Sequence, residues 1–311
     1  MARFGYIQLI RCCNQRCRFC SNPDTAAVLS VGAAKALVDD FADRGMAAVL
    51  LTGGEPTLHE GLAEVVAHAR SRGLEPRLIT NGQRTADRAY LETLVAAGLT
   101  HVHVSLQSHR REVQGALAAK EDSLDRLVET LANLGDLGVT ADINTTLNAA
   151  NADHLDETVV WLCERFPWLH HWVFNNLDPT SERALENRDV LTTPRRFELS
   201  LFRALRHLDA TGRSFRVERV PLCYLAEFAW ASTETRKIVK DESREIAFLD
   251  ERGHVDDRDL WVRYAKAAAC KVCTLEPICA GVFAADVHDV RDELYPVFLS
   301  RERIVARIRE G

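Results

Sequence analysis

Several things are missing from this 311-residue chain. No run of about 18 apolar residues occurs, so no segment reads as a membrane span. The start, Met1-Ala2-Arg3-Phe4-Gly5-Tyr6, goes straight into a strand-like run. No charged stretch there precedes an apolar core, so no secretory signal is read. Positive charge is not in excess: 39 Lys and Arg stand against 45 Asp and Glu, a net charge of -6. That disfavours a nucleic acid or an anionic membrane as bulk partner, while a local basic groove stays open. Low-complexity tracts are absent, as is any repeat beyond the strand–helix period described below. The nine cysteines are an odd number, which argues against a full disulfide framework. Without an export signal the chain is expected to be cytoplasmic, where cysteines serve as metal ligands or catalysts.

What is present is an ordinary globular balance, 47% hydrophobic and 27% charged. The length suits one large domain and a smaller one. Short apolar runs alternate with helical patterns. Strands are expected at Tyr6–Ile10, Ala48–Thr52, Arg77–Thr80, His101–Ser105, within Val139–Leu147 and at His171–Phe174. Helices are expected at Ala33–Arg44, Leu62–Arg72, Ala89–Ala97, Ser123–Leu137 and Leu155–Arg165. Six such passes predict an α/β fold, a partial (β/α)6 TIM-like barrel with a parallel sheet. A long helix at Pro194–Leu208 closes it, and the expected division is 1–212 and 213–311. In the second part, Phe215–Val220 alternates as a strand and Glu245–Val255 reads as a hairpin. Leu299–Arg309 reads as a helix packing Ile304, Val305 and Ile308 on the barrel.

The chemistry centres on Cys13, Cys17 and Cys20, a C-x3-C-x2-C loop after the first strand. Thiolates are soft ligands that suit iron–sulfur clusters or zinc. A structural zinc site is closed by four ligands. Within Cys13–Cys20 there is neither a fourth cysteine nor a histidine, so a three-cysteine cluster with one open iron and a zinc knuckle are the alternatives. The loop follows a strand, so it lies at the C-terminal end of the barrel, where βα folds do their chemistry. One unit later comes Gly53-Gly54-Glu55-Pro56, whose glycines let backbone approach a ligand and whose carbonyls and Glu55 can accept from an ammonium.

The cysteine spacing, the aromatic Phe19 before the last cysteine and the Gly-Gly-Glu-Pro element together resemble the radical S-adenosylmethionine (radical SAM) superfamily. The resemblance implies a [4Fe–4S] cluster on Cys13, Cys17 and Cys20. Its open iron chelates S-adenosyl-L-methionine, and Gly53–Pro56 bind the methionine amino group. It implies further that Ser105 contacts the methionine carboxylate or ribose, and that Asn144 reaches the ribose hydroxyls. Each has a plain alternative, Ser105 as a local cap and Asn144 as a partner of buried backbone. Phe19 either packs near the adenine or belongs to the core.

A second group, Cys270, Cys273 and Cys279, with Cys223 upstream, resembles the twitch-type relative of the SPASM domain. That implies one auxiliary [4Fe–4S] cluster; four thiolates could also bind zinc. The longer pattern would put a cysteine at 283, where this chain has Phe. Cys12 and Cys163 are expected to be structural. His101, His103, His170 and His171 lack a third convergent ligand in sequence and read as solvated or core. Trp230, Trp261 and Tyr264 are expected in the small domain's core, and Asp178, Glu218, Arg219 and Tyr224 at the junction. The function expected is radical hydrogen abstraction on a ribosomally made peptide (crosslink, oxidation or epimerisation), fed by an external electron donor. A small-molecule dehydrogenase or epimerase, and a non-catalytic iron–sulfur or zinc protein, are the alternatives. The cysteine motif starts at residue 13, so no fused leader-binding domain is expected, and a peptide would dock directly or through a separate protein.

Overall fold

The structure is a computed structural model that describes residues 4–22, 25–242, 244–250, 253–284 and 290–310. Seven strands follow one another in sequence and pair in parallel: β1 (Phe4–Ile10), β2 (Ala48–Gly53), β3 (Glu75–Thr80), β4 (His101–Ser105), β5 (Thr140–Leu147), β6 (His171–Asn176) and β7 (Ser214–Glu218). On the free side of β1, β8 (Arg244–Ala247) adds a further parallel strand, and β9 (His254–Asp256) pairs antiparallel with β8. The expected α/β sheet is there, with more strands than the six units read from the sequence.

The reason lies in the strand faces. Successive side chains alternate across a strand. One set, including Ile7, Leu51, Val104, Trp172 and Phe215, is buried under the crossover helices in one continuous core. The other set faces a lumen and is largely polar: Arg77, His103, Asp142, Asn144, Arg216 and Glu218 line a cavity of about 470 Å³. A parallel strand buried on both faces would be apolar throughout. The polar lumen makes Phe215-Arg216-Val217-Glu218 alternate, so β7 reads like a strand of a separate small domain. The sheet therefore runs past residue 212. It also curls: the β8 residue Arg244 lies 2.7 Å from Glu218 of β7, although six strands stand between β7 and β8 in the sheet.

Helix starts follow their caps. The first helix begins at Val31, two residues before its expected start, because Ser30 Oγ accepts from Ala33 N at 3.2 Å. Asp87 does the same for Arg88–Ala96. After β7 come short 3-10 turns, the helix Thr233–Lys240, and a small hairpin of β10 (Tyr264–Ala265) and β11 (Val282–Phe283). The expected hairpin near 245–255 is present as β8 and β9, with residues 251 and 252 outside the described residues. The last helix, Arg301–Glu310, buries Ile304 and Ile308. It rests on the Ala226–Ala231 turn and the Thr233–Lys240 helix and joins the barrel's core, with Arg307 stacked 3.8 Å over Trp230 and paired with Asp209 of the Pro194–Ala210 helix at 3.1 Å. Among the described residues no helix is long and apolar enough to cross a membrane.

Candidate active site

The cysteine loop leaves the C-terminal end of β1 and is tied down by backbone on two sides. Arg16 N donates to Ala118 O at 3.1 Å and Arg18 N to Leu117 O at 3.0 Å. These are C-terminal carbonyls of the Arg111–Ala118 helix, which lack intrahelical partners. On the other side Gly54 N donates to Ile10 O at 2.6 Å and Glu55 N to Cys12 O at 3.0 Å. The Gly-Gly-Glu-Pro turn and the cysteine loop are thus one hydrogen-bonded unit. This is what the glycines serve. A Cβ on Gly54 would stand 2.2 Å from Cys12 O and 2.3 Å from Arg11 O. At Gly53, φ is +146° and a Cβ would meet Ile10 O at 2.2 Å. The close approach is to the backbone of the cysteine loop.

Glu55 also has a different part from the expected one. Its carboxylate is buried, and it accepts from Thr57 N at 3.1 Å, Thr57 Oγ1 at 2.6 Å, Thr80 Oγ1 at 2.7 Å and Asn81 N at 2.8 Å. Burial pushes its pKa up and these four bonds pull it back. The side chain is spent on bracing the end of β3, because four donors surround it before any ammonium arrives. Pro56 starts the short turn Pro56–Leu58 and leaves no N–H to satisfy there.

The brace places Asn81, whose Nδ2 donates to Cys13 Sγ at 3.5 Å and to Asn14 Oδ1 at 2.7 Å. Gln15 N lies 3.4 Å from Cys13 Sγ, and Asn22 N lies 3.4 Å from Cys20 Sγ. Gln15 itself is buried, bonded through Nε2 to Ser123 Oγ at 3.1 Å, and its Oε1 faces Cys17 Sγ at 3.5 Å. The sequence reading missed Gln15 and Asn22; their signal was their place inside and just after the cysteine spacing. Burial pushes the Cys13 thiol up to about 11 and Cys17 higher still, with repulsion from the neighbouring cysteines adding to both. The three sulfurs therefore lie within electrostatic reach of one another, and a metal bound there releases protons.

The lumen below the loop carries the softer candidates. Ser105 is on the inner face of β4, in register with Asn144 of β5. Asn144 lines the cavity, and its Oδ1 accepts from Asn175 Nδ2, so its own amide donor is left toward the lumen. Phe19 is placed in a small apolar cluster with Leu117, Leu177, Ala184 and Val190, the core alternative of the two read from sequence.

Cys223, Cys270, Cys273 and Cys279 line one cavity together with Leu275, Leu294 and Tyr295. Burial raises Cys223 to about 12, and proximity to Cys279 and Cys270 contributes. Tyr295 Oη donates to Cys223 O at 2.6 Å, and Val297 N lies 3.5 Å from Cys273 Sγ. At position 283 the phenyl ring fills the core between Tyr264, Arg219 and Arg263. Cys163 is buried in the main core, and Cys12 meets the site only through its carbonyl.

Both cysteine sets fit a cluster better than one ion. Four thiolates on a single zinc at 2.3 Å would lie about 3.8 Å apart. Among the described residues, neither set brings three ligand atoms within 4.8 Å of one another; the trio that does is His101, His103 and Asp142. Three convergent thiols with N–H donors aimed at their sulfurs are the donor set of a cubane with one open iron.

The junction residues are occupied structurally. Glu218 pairs with Arg244; burial alone would raise its pKa, but Arg244 and Lys237 hold it down to about 2. Asp178 accepts from Thr180 and pairs with Arg263. Arg219 has a left-handed φ of +60° and stacks 4.4 Å over Phe283. Tyr224 Oη donates to Glu293 O at 2.7 Å. Trp230 packs on Phe215, whereas Trp261 and Tyr264 line a second cavity with Glu234.

Comparison with known proteins follows the same division. The model of the Radical SAM superfamily matches residues 7–162. A PqqA peptide cyclase of Xanthomonas axonopodis pv. citri is 33% identical over 205 residues, 61% of this chain and 55% of the relative. An Fe-coproporphyrin III synthase of Methanosarcina barkeri is 32% identical over 147 residues, 46% of this chain and 36% of the relative. The chain thus spans about half the length, or less, of these curated relatives. Streptococcus suis SuiB bound to S-adenosylmethionine superposes with a TM-score of 0.65 at 14% identity, over 96% of this chain and 76% of that one. The anSMEcpe structure with AdoMet and a Kp18Cys peptide gives 0.68 at 14% identity, over 99% and 96%. At these identities the structural likeness concerns the fold. With the family's model aligned from β1 into the helix after β5, across both the cysteine loop and Gly53–Pro56, the chain belongs to the radical SAM superfamily.

Proposed function

We propose that this chain uses S-adenosylmethionine and a [4Fe–4S] cluster to abstract a hydrogen atom from a ribosomally made peptide, with one auxiliary [4Fe–4S] cluster on Cys223, Cys270, Cys273 and Cys279. The observation that carries the reading is the splice between the cysteine loop and Gly53–Pro56, made by Gly54 N–Ile10 O and Glu55 N–Cys12 O at the mouth of a polar lumen. When bound together, the cluster and S-adenosylmethionine supply a 5'-deoxyadenosyl radical at the expense of one electron from an external donor.

The chain's own residues set the conditions for that chemistry. Cys13, Cys17 and Cys20 would hold the cluster through three thiolates, leaving one iron for S-adenosylmethionine. Asn81, Gln15 and Asn22 direct hydrogen bonds at the sulfurs, which tunes their basicity. Glu55 keeps Thr80 and Asn81 in place. Ser105, Asn144 and Asn175 offer polar atoms on the lumen wall beneath the mouth, where a sugar or a substrate backbone finds partners. The lumen cavity of about 470 Å³ is of ordinary ligand-pocket size and suits a peptide side chain as well as a small molecule. Peptide chemistry is also named for the PqqA peptide cyclase relative, and a peptide is bound in the anSMEcpe structure. The Methanosarcina relative supports a second reading, a small tetrapyrrole-like substrate.

The test is anaerobic reconstitution with iron counting, then dithionite and S-adenosylmethionine. About eight irons per chain are expected for two cubanes, and about four would remove the auxiliary cluster. 5'-Deoxyadenosine is expected as product; none at all sinks the radical reading. Deuterium from a labelled precursor peptide should appear in that product. Transfer from a porphyrinogen and from no peptide would decide for the second reading.

A further inference from the structure

His101 and His103 share one face of β4 and lack a third ligand in their own stretch of sequence. The third comes from the next strand. Parallel pairing sets His103 opposite Asp142 of β5. Asp142 Oδ2 lies 2.8 Å from His101 Nε2 and 3.3 Å from His103 Nδ1. The two imidazoles stack at 4.8 Å between centroids with 16° between planes, so they present to the carboxylate side by side. Asp142 is 5% exposed and the histidines are partly buried. Behind His101, Glu75 Oε1 lies 3.7 Å from Nδ1, and Arg77 donates to the other Glu75 oxygen at 2.7 Å.

We infer that His101, His103 and Asp142 form a binding site for one divalent first-row metal ion of the zinc(II) or iron(II) type. The site sits toward the N-terminal end of the barrel strands, the opposite end from the cysteine loop, and it does not depend on the radical chemistry. Three observations carry it. First, two of the three ligand separations, 2.8 and 3.3 Å, are already right, and all three ligand atoms lie within 4.8 Å of one another. Nitrogen and oxygen ligands at 2.0–2.2 Å from one ion lie about 3 Å from each other.

Second, an outer partner for an ion is in place: Glu75 Oε1 stands 3.7 Å from His101 Nδ1, on the far side of the ring from Asp142. That is the order carboxylate, histidine, metal found around resident metal ions.

Third, His103 is poorly served as a hydrogen-bonding residue. Its Nε2 is buried with no partner, and its Nδ1 reaches Asp142 only at 3.3 Å. His103 and Asp142 both line the large lumen cavity, so positions not taken by protein open onto it. Two histidines and one carboxylate with open positions are a donor set for zinc or non-haem iron. His171, in register with Asp142 on β6, has Nδ1 committed to Ser214 Oγ at 2.7 Å and stands at the edge of the site.

The experiment loads zinc sulfate onto the reconstituted, cluster-bearing chain, desalts it, and reads zinc content and zinc-edge X-ray absorption. The expected result is one zinc per chain with a nitrogen and oxygen shell at about 2.0–2.1 Å and no sulfur shell at about 2.3 Å. His103→Ala and the near-isosteric Asp142→Asn should each cut retained zinc at least about 10-fold, with iron content and melting temperature kept. A sulfur shell would assign the zinc to cysteines. No zinc retained by the parent chain would mean that His101, His103 and Asp142 form a hydrogen-bond network only. Either result overturns the site, as does undiminished zinc in both variants.

Discussion

In the N-terminal loop, Cys13 and Cys20 accept hydrogen bonds from Gln15, Asn81 and Asn22, and all three cysteines are only partly buried. In the C-terminal cavity the side chains around the sulfurs are largely apolar, Leu275, Leu294 and the Tyr295 ring, Cys223 is buried, and the N–H groups that approach the sulfurs are backbone ones, of Val297 at Cys273, Tyr295 at Cys223, and Leu222 and Gly281 at Cys279. The first set is spliced by backbone onto the barrel mouth through Gly54 and Glu55. The second is gathered from three separate short turns. Polar, open surroundings suit a cluster that must exchange a charged cosubstrate at one iron. Apolar, closed surroundings suit a cluster whose four ligands never leave. Ligand number and environment thus point the same way at each site.

The sharpest way to break the comparison is to remove one ligand from each set. Cys17→Ala should lower 5'-deoxyadenosine formation by well over about 100-fold, since even outer partners of a metal site cost 10–100-fold. Cys273→Ala should keep that product while stopping substrate turnover. Product analysis with and without substrate separates the two, and equal loss in both variants would erase the proposed division of labour.

A smaller effect is expected where the barrel meets the C-terminal segment. Glu218 is held ionised against Arg244, at a pKa of about 2 against an ordinary 4.5. Its contribution is therefore complete above about pH 4.5 and is lost as pH falls toward 2. Glu218→Gln should destabilise the chain by about 3 kcal/mol at pH 7. It should also flatten the acid limb of the melting curve between those pH values. Iron content at neutral pH should stay the same at both sites. Loss of iron from one site alone would mean that the pair serves that site rather than the barrel.

The smallest expected change is the most selective. Gly54→Ala puts a methyl group against two carbonyl oxygens of the cysteine loop. The overpacking should cost about 1–3 kcal/mol. Iron should fall only at the N-terminal site, leaving about four irons per chain. Full iron retention would show that the loop can shift without losing its cluster.

Much of this arrangement was legible in order along the chain. Cys13, Cys17 and Cys20 are close in sequence, so their spacing alone makes a ligand set. The crossover helices and their strands show as periodicity, because one face of each is buried. Other parts were not legible. Glu55 reads as a ligand to a bound amine, but Thr80 and Asn81, twenty-five residues on, take up its carboxylate. Phe19 beside a cysteine reads as an adenine contact or as core, and its apolar neighbours come from two distant stretches, Val113 and Leu117 and then Leu177, Ala184 and Val190. Strand β7 alternates because it lines a polar lumen, and alternation looks the same for a half-exposed strand of a separate domain.

By itself, then, the sequence determined the ligand types, the order of the βα units and the end of the barrel at which the cysteine loop lies. These depend on local spacing and on strand and helix periods, which neighbouring residues set. The tertiary structure alone decided that Glu55 braces rather than binds and that Arg244 meets Glu218 across the lumen. It alone brought Asp142 to His101 and His103. Those pairings follow from strand register and sheet curl, which bring together residues that no local pattern connects.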